Sequence, residues 1–320
     1  MKCRRCKEPA VIELRRHNAS FCGPCFLHHC REQVRRAIDE HRMFSDSDRI
    51  LVAVSGGKDS LALWDLLLEL GFAVDGLYLG LGIGEYSDES GTYVRRFASD
   101  RAARLVEIDL PSDYGFGIPE GAAAARRVPC SACGLSKRHL FNQAALNGGY
   151  DVVATGHNLD DEAAVLLGNV LRWSTDYLGR QEPVLAARPG FVRKVKPLVR
   201  LGEREMAAYC VLRGIDYIVE ECPMAEGNKH LGYKAALNAI EEDSPGSKAA
   251  FYFGFLDRGA RHFLPEVVEE RAGLRPCGSC GSPTTGEVCA FCKLVEKTAA
   301  GAVAAPTRRR RPGRGARRDG

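Results

Sequence analysis

Between residues 48 and 265 two hydrophobic rhythms alternate along the chain. Short apolar runs rich in β-branched residues occur at Ile50–Val54, Ala73–Leu79, Arg104–Ile108, Asp151–Thr155 and Ile215–Val219. Their length and composition predict strands. Between them the spacing is helical, as at Ser60–Leu70 and Leu159–Leu171. In the second of these, Ala163, Leu166, Leu167 and Val170 fall on one face. Strands separated by helices predict an α/β fold with a parallel sheet covered on both sides. Such sheets bind ligands beyond the carboxyl ends of their strands. Upstream, residues 31–44 predict a basic helix with Val34 and Ile38 on one face and Arg31, Arg35, Arg36 and Arg42 supplying charge.

The two ends lack this periodicity. The expected organisation is a Cys-rich module at 1–30, a basic linker helix within 31–47, an α/β domain at 48–270, a second Cys-rich module at 271–297 and a disordered Arg-rich tail at 298–320. The net charge is +4, but the seven Arg and one Asp after Ala305 carry +6, so the rest of the chain is slightly acidic, about −2. Nucleic-acid binding by the body therefore calls for a local basic patch rather than bulk charge. No apolar run reaches the roughly 18 residues of a membrane span. No apolar stretch of the signal-peptide kind follows Met1–Cys6. The expected location is the cytoplasm, away from membranes.

Thirteen cysteines are many for a reducing compartment, and ten fall into Cys-x-x-Cys pairs, which there read as metal ligands or redox groups. Cys3, Cys6, Cys22 and Cys25 form two knuckles fifteen residues apart. Cys277, Cys280, Cys289 and Cys292 repeat the arrangement with a loop of eight. Each set predicts a four-thiolate Zn²⁺ ribbon, in which the metal folds a segment too small for its own core. Cys130 and Cys133 have no second pair nearby; they open a predicted helix inside the α/β domain. Cys222 stands just after the last strand candidate, at a strand end facing the ligand side. Three cysteines suit an iron–sulfur cluster with one iron free of protein ligand, or a persulfide with a resolving thiol. Cys30 and Cys210 fit no set and read as packing residues.

The sharpest local signal is Ile50–Val54 running into Ser55-Gly56-Gly57-Lys58-Asp59-Ser60 and then a helix. Glycines admit close backbone approach, and helix-terminal N–H groups favour an anion. The spacing is not that of a Walker A loop; it matches the PP-loop, Ser-Gly-Gly-x-Asp-Ser, of enzymes that split ATP between its α and β phosphates. Downstream, Asp160 and Asp161 have the wrong sign to touch phosphate. They suit Mg²⁺ or proton handling, or helix capping with Asn158. Lys137, one turn beyond Cys133, is positioned to reach a phosphate.

Taken together these residues resemble the TtuA-type tRNA 2-thiouridine synthetases over about residues 1–295. The resemblance is strongest in the PP-loop, the two ribbons, and the stretches Cys133-Gly134-Leu135-Ser136-Lys137-Arg138 and Thr155-Gly156-His157-Asn158-Leu159-Asp160-Asp161-Glu162-Ala163-Ala164. It implies a Rossmann-like PP-loop domain that binds ATP with Mg²⁺ at Ala53, Val54, Ser55, Gly56, Gly57, Lys58, Asp59, Ser60, Leu79 and Gly156. It implies a [4Fe–4S] cluster on Cys130, Cys133 and Cys222, two Zn²⁺ in the ribbons, and catalytic roles for Lys137 and Asp161. The implied reaction adenylates the C2 oxygen of a uridine-type base in tRNA and replaces it with sulfur, at position 54 or else at wobble position 34. The implied partners are a ubiquitin-like carrier bearing a thiocarboxylate and a second copy of the chain. The rival readings are a PP-loop ligase without sulfur chemistry, an RNA-binding ribbon protein with a lapsed nucleotide domain, and a persulfide enzyme without a cluster.

Overall fold

The computed structural model describes residues 1–225, 229–263 and 273–304. The boundary expected at residues 270 and 271 and the Arg-rich stretch after Ala304 lie outside the described residues. The N-terminal module is a hairpin, β1 (Ile12–Leu14) with β2 (Ala19–Phe21), followed by α1 (Gly23–His41). α1 starts eight residues earlier than its basic segment suggested, because Pro24 at its first turn and the metal knuckle at Cys22–Cys25 set the start. Val34 and Ile38 are buried as expected.

The central domain runs β3 (Ile50–Val54), α2 (Lys58–Glu69), β4 (Val74–Gly80), α3 (Gly84–Asp100), β5 (Leu105–Asp109), α4 (Leu110–Tyr114), α5 (Ile118–Ala125), α6 (Pro129–Gly148), β6 (Val152–Thr155), α7 (Leu159–Leu171) and α8 (Thr175–Leu178). It continues with β7 (Val184–Leu185), β8 (Arg193–Val195), α9 (Glu203–Arg213), α10 (Lys229–Asp243) and α11 (Ser247–Gly254). The sheet order is β5-β4-β3-β6-β8-β7, parallel except for β7. All five residues of β3 are buried, as a central parallel strand requires. Leu61, Leu63, Trp64, Leu66 and Leu67 of α2 are fully buried against it. Helix α1 and the N-terminal hairpin share this core, so the first module is packed onto the domain rather than tethered to it.

The predicted strand Ile215–Val219 does not join the sheet. Ile215 and Ile218 are buried, but the segment runs as extended chain whose Ile218 N–H donates to the Gly56 carbonyl, 3.0 Å away. Its apolar character comes from packing on the phosphate loop, and burial of that kind is indistinguishable in sequence from strand burial. The sheet instead gains the short β7 and β8, the latter opening on Arg193 and Lys194.

At the C-terminus β9 (Arg275–Pro276) pairs with β10 (Pro283–Thr284), and α12 (Ala290–Ala304) follows. Helix α12 continues to Ala304, through the first residues of the segment expected to be disordered from 298. Phe291 and Leu294 of α12 are buried in a second apolar cluster with Ile118, Ala122 and Leu140 of α5 and α6. Phe291 stacks on His139 at 4.3 Å, and Gln143 donates to Ser282 Oγ at 2.6 Å. Among the described residues no helix is long and apolar enough to cross a membrane.

Candidate active site

The chain passes from β3 outward to β4 and β5, then returns to place β6 on the other side of β3. The loops after β3 and β6 therefore diverge at a topological switch point, where open α/β sheets form their ligand crevice. The loop after β3 is Ser55–Gly57. Its turn is held from within: Ser55 N donates to Ser60 Oγ (3.1 Å), and Ser60 Oγ donates to the Gly57 carbonyl (2.9 Å). Gly56 has φ +79°, and a Cβ there would lie 2.6 Å from the Ser90 carbonyl oxygen, so both conformation and space demand glycine. Ala53 and Val54 are buried and bring the backbone to this turn, while Leu79, near the end of β4, is buried among Leu81, Ile83 and Leu110.

The loop after β6 touches the first. A Cβ on Gly156 would stand 2.9 Å from the backbone of Asp59 and Ser60, in the first turn of α2. Asn158 caps α7 by accepting from the N–H groups of Asp160 and Asp161, and Asp161 completes the capping box through Asn158 N (3.1 Å). Asn158 Nδ2 also donates to Asp59 (3.0 Å), tying the two loops together.

The acidic pair divides. Asp160 is buried, pairs with Lys248, and accepts from Glu203 N at the start of α9 (2.8 Å). It caps a second helix, with both oxygens engaged. Asp161 keeps one oxygen on Lys234 (2.6 Å), which also reaches Glu203 (3.2 Å). Lys58 pairs with Glu203 at 2.7 Å and Asp59 at 3.2 Å. Burial pulls the Lys58 ammonium down, yet Asp59 and Glu203 carry it above the ordinary lysine value. Burial raises the Asp59 carboxyl, opposed by Lys58 and reinforced by Asp161. The cations beside the loop are thus held by carboxylates that an incoming polyphosphate would replace.

Cys130 and Cys133 lie in the first turns of α6, whose first residue is Pro129. The Cys130 thiol donates to the Met224 carbonyl (3.4 Å) in the turn directly after Cys222. Burial raises the Cys133 thiol, Lys137 lowers it, and Cys222 and Cys130 raise it further. All four groups therefore share one neighbourhood, and Tyr86 of α3 packs against the same apolar cluster as Cys222 and Cys133. The Ile218–Gly56 bond fixes the extended segment leading to Cys222 against the phosphate loop. Three cysteines on two elements, with Cys130 exposed, suit a cluster having one iron without a protein ligand.

In each terminal set the four sulfurs lie within 4.8 Å of one another. Zn–S bonds of about 2.3 Å in a tetrahedron place sulfurs about 3.8 Å apart; Cys25 and Cys6 are separated by 3.7 Å, as are Cys280 and Cys289. The knuckles repeat one another. Cys3 N donates to Glu8 O and Cys277 N to Ser282 O, and Lys7 N returns to Cys3 O as Gly281 N does to Cys277 O. Lys7 and Gly281 share the left-handed conformation, at φ 69° and 72°. In both modules the second pair sits at the start of a helix, α1 or α12. Backbone N–H groups of Cys289, Cys280 and Ser279 hold the Cys277 thiol at about 6, against its burial, and so favour the thiolate that a metal binds.

Residues 27–226 match the PP-loop domain family, and residues 2–27 match the family described as 2-thiouridine synthetase TtuA, N-terminal LIM domain. The chain is 50% identical to tRNA-5-methyluridine(54) 2-sulfurtransferase of Thermus thermophilus, over 92% of this chain and 91% of that protein. It is 41% identical to the protein of the same name from Pyrococcus horikoshii, over 92% and 93%. The chain belongs to the TtuA family of PP-loop tRNA sulfurtransferases. Among solved structures, the U34-tRNA thiolase NcsA of Methanococcus maripaludis with its [4Fe–4S] cluster shares the fold, with a TM-score of 0.75 and 24% identity over 92% of this chain and 96% of that one.

Within this family frame, several polar residues of the site were not legible in sequence. Lys234, Glu203 and Lys248 come from helices far along the chain, as does Lys196, which pairs with Glu162 at 2.7 Å. No local motif marks them. A lysine on an amphipathic helix looks the same whether it faces water or a buried carboxylate.

Proposed function

We propose that this chain is an ATP-dependent sulfurtransferase that converts 5-methyluridine at tRNA position 54 to its 2-thio form. The observation that carries the reading is the PP-loop held by the Ile218–Gly56 bond against the segment that ends in Cys222, with Cys130 and Cys133 beside it. The identity to the Thermus thermophilus enzyme supports the choice of base and position.

In this reading the N–H groups at Gly56–Lys58 and the N-terminus of α2 receive the ATP phosphates. Lys58 exchanges Asp59 and Glu203 for phosphate oxygens. Asp59 and Asp161 are then the carboxylates offered to Mg²⁺, because their side chains are about a quarter exposed whereas that of Asp160 is 11% exposed and capped on α9; Asp161 exchanges Lys234 for the cation. The target base leaves its stack so that its C2 oxygen meets the α-phosphate. The oxygen–phosphorus bond forms, pyrophosphate departs, and Lys137 stabilises charge on the phosphate. Sulfur then takes the place of the adenylated oxygen at C2, and that oxygen leaves with AMP. A [4Fe–4S] cluster on Cys130, Cys133 and Cys222 would supply an iron site that holds sulfide. The ribbons, each with Zn²⁺, and helix α1 offer a surface for the shape and backbone of tRNA. A thiocarboxylated ubiquitin-like donor, a homodimer and a cytoplasmic location complete the reading, and these rest on the family resemblance.

The test is nucleoside mass spectrometry with position mapping, in cells lacking the gene and in cells complemented with wild type or with Cys130→Ser, Cys133→Ser or Cys222→Ser. We expect 2-thioribothymidine at position 54 to vanish without the gene and to return only with wild type. Full activity of all three serine variants would refute the cysteine assignment. Loss of a wobble 2-thiouridine instead would move the substrate to position 34.

A further inference from the structure

We propose a third metal site, made by His17, His29 and Glu205, which binds a borderline divalent cation of the Zn²⁺ class and clamps the N-terminal module onto the central domain. One ligand atom from each of these residues lies within 4.8 Å of the other two. They come from three separate elements. His17 ends the 3-10 turn Arg15–His17 after β1, His29 is in α1, and Glu205 is in the first turn of α9.

The polar accounting points to a missing partner. The Nε2 atoms of His17 and His29 and Glu205 Oε1 are all buried without a hydrogen bond. Glu205 is only 3% exposed. Buried polar atoms left unpaired are costly and rare, and three converging on one point need a common explanation. His29 Nε2 and Glu205 Oε1 are 3.5 Å apart, too long for a good charge-assisted bond. Two ligand atoms about 2.1 Å from a tetrahedral metal stand about 3.4 Å apart.

The surroundings hold the carboxylate by hydrogen bonds and the imidazoles by ring packing. Glu205 Oε2 is taken by Arg16 (2.6 Å) and by Gly202 N (2.7 Å), which leaves Oε1 for the cation. His29 stacks on Phe21 at 5.2 Å, and His17 meets His29 edge-on at 5.1 Å. His17 and His29 line a cleft of about 500 Å³ together with Arg4, Arg5, Glu32 and Gln33. Two imidazoles and one carboxylate are a zinc-type donor set, distinct from the all-thiolate ribbons.

The test compares the metal content of the full-length wild-type protein and the His17→Gln/His29→Gln double variant, purified identically, desalted and measured by elemental mass spectrometry alongside circular dichroism. A folded variant carrying one zinc equivalent fewer per chain supports the site, whatever the ribbons hold. Equal zinc in the two folded proteins overturns it. Should the variant fail to fold, ¹¹³Cd NMR of the cadmium-substituted wild type decides. A resonance in the nitrogen- and oxygen-ligand range supports the site, and resonances confined to the thiolate range overturn it.

Discussion

Replacing Gly156 by alanine adds one methyl group where two loops of the crevice meet. That methyl carbon would stand 2.9 Å from Asp59 C, Ser60 Cα and Ser60 N. Relief to ordinary van der Waals contact needs a shift of about 0.5 Å, and all three obstacles are backbone atoms that cannot rotate away. Helix α2 is anchored by its fully buried leucines and Trp64, so the displacement falls on the Gly156–Asn158 loop. That loop carries the Asn158–Asp59 bond and the capping box with Asp161. Overpacking of this kind costs about 1–3 kcal/mol. Catalytic groups tolerate about 0.5 Å of misplacement, and 1 Å can cost on the order of 100-fold. We therefore expect Gly156→Ala to lower kcat/KM for ATP by about tenfold or more and to lower the Tm, measured by AMP release with tRNA and by calorimetry. A variant with wild-type kcat/KM and wild-type Tm would refute the claim that the two loops are in rigid register.

A contrasting glycine gives the opposite sign: Gly232 lies exposed within α10 with nothing near its added Cβ, so Gly232→Ala should stabilise by about 0.5–1 kcal/mol, read from the denaturation midpoint. Asp65 is buried against Arg101 and Arg213 (2.7 Å each) and Tyr209 (2.7 Å), and Asp65→Ala should cost about 3–5 kcal/mol by leaving those groups unpaired. Burial raises the Asp65 carboxyl, but the hydrogen bonds from Arg213, Arg101 and Tyr209 outweigh it and hold it below the usual range. Its stabilisation is therefore present above the unfolded value of about 3.9 and lost as pH falls through the lower folded value, so acid unfolding should be shallower in Asp65→Asn. Cys277→Ser should release metal and lower the Tm by loosening Phe291 and Leu294 from α5 and α6, with chelation of the wild type, which also empties the N-terminal set, giving a shift at least as large in calorimetry.

Taken alone, the sequence determined whatever depends on neighbours along the chain. The β3–PP-loop–α2 unit, both four-cysteine sets and the Pro129 start of the α6 cysteine helix are local patterns whose chemistry follows from spacing. Tertiary structure decided what depends on distant partners. Asp160 and Asp161 are adjacent and chemically identical, yet Lys248 and α9 claim one while Lys234 and the capping box hold the other. The Ile215–Val219 run has the composition of a strand, and only its position against Gly56 makes it the carrier of Cys222 instead. His17, His29 and Glu205 have no shared spacing, because folding alone brings a turn, a helix and a second helix to one point. A periodic pattern records whether a residue is buried. Which group it meets there is set by the packing of elements that lie from about 40 to nearly 190 residues apart.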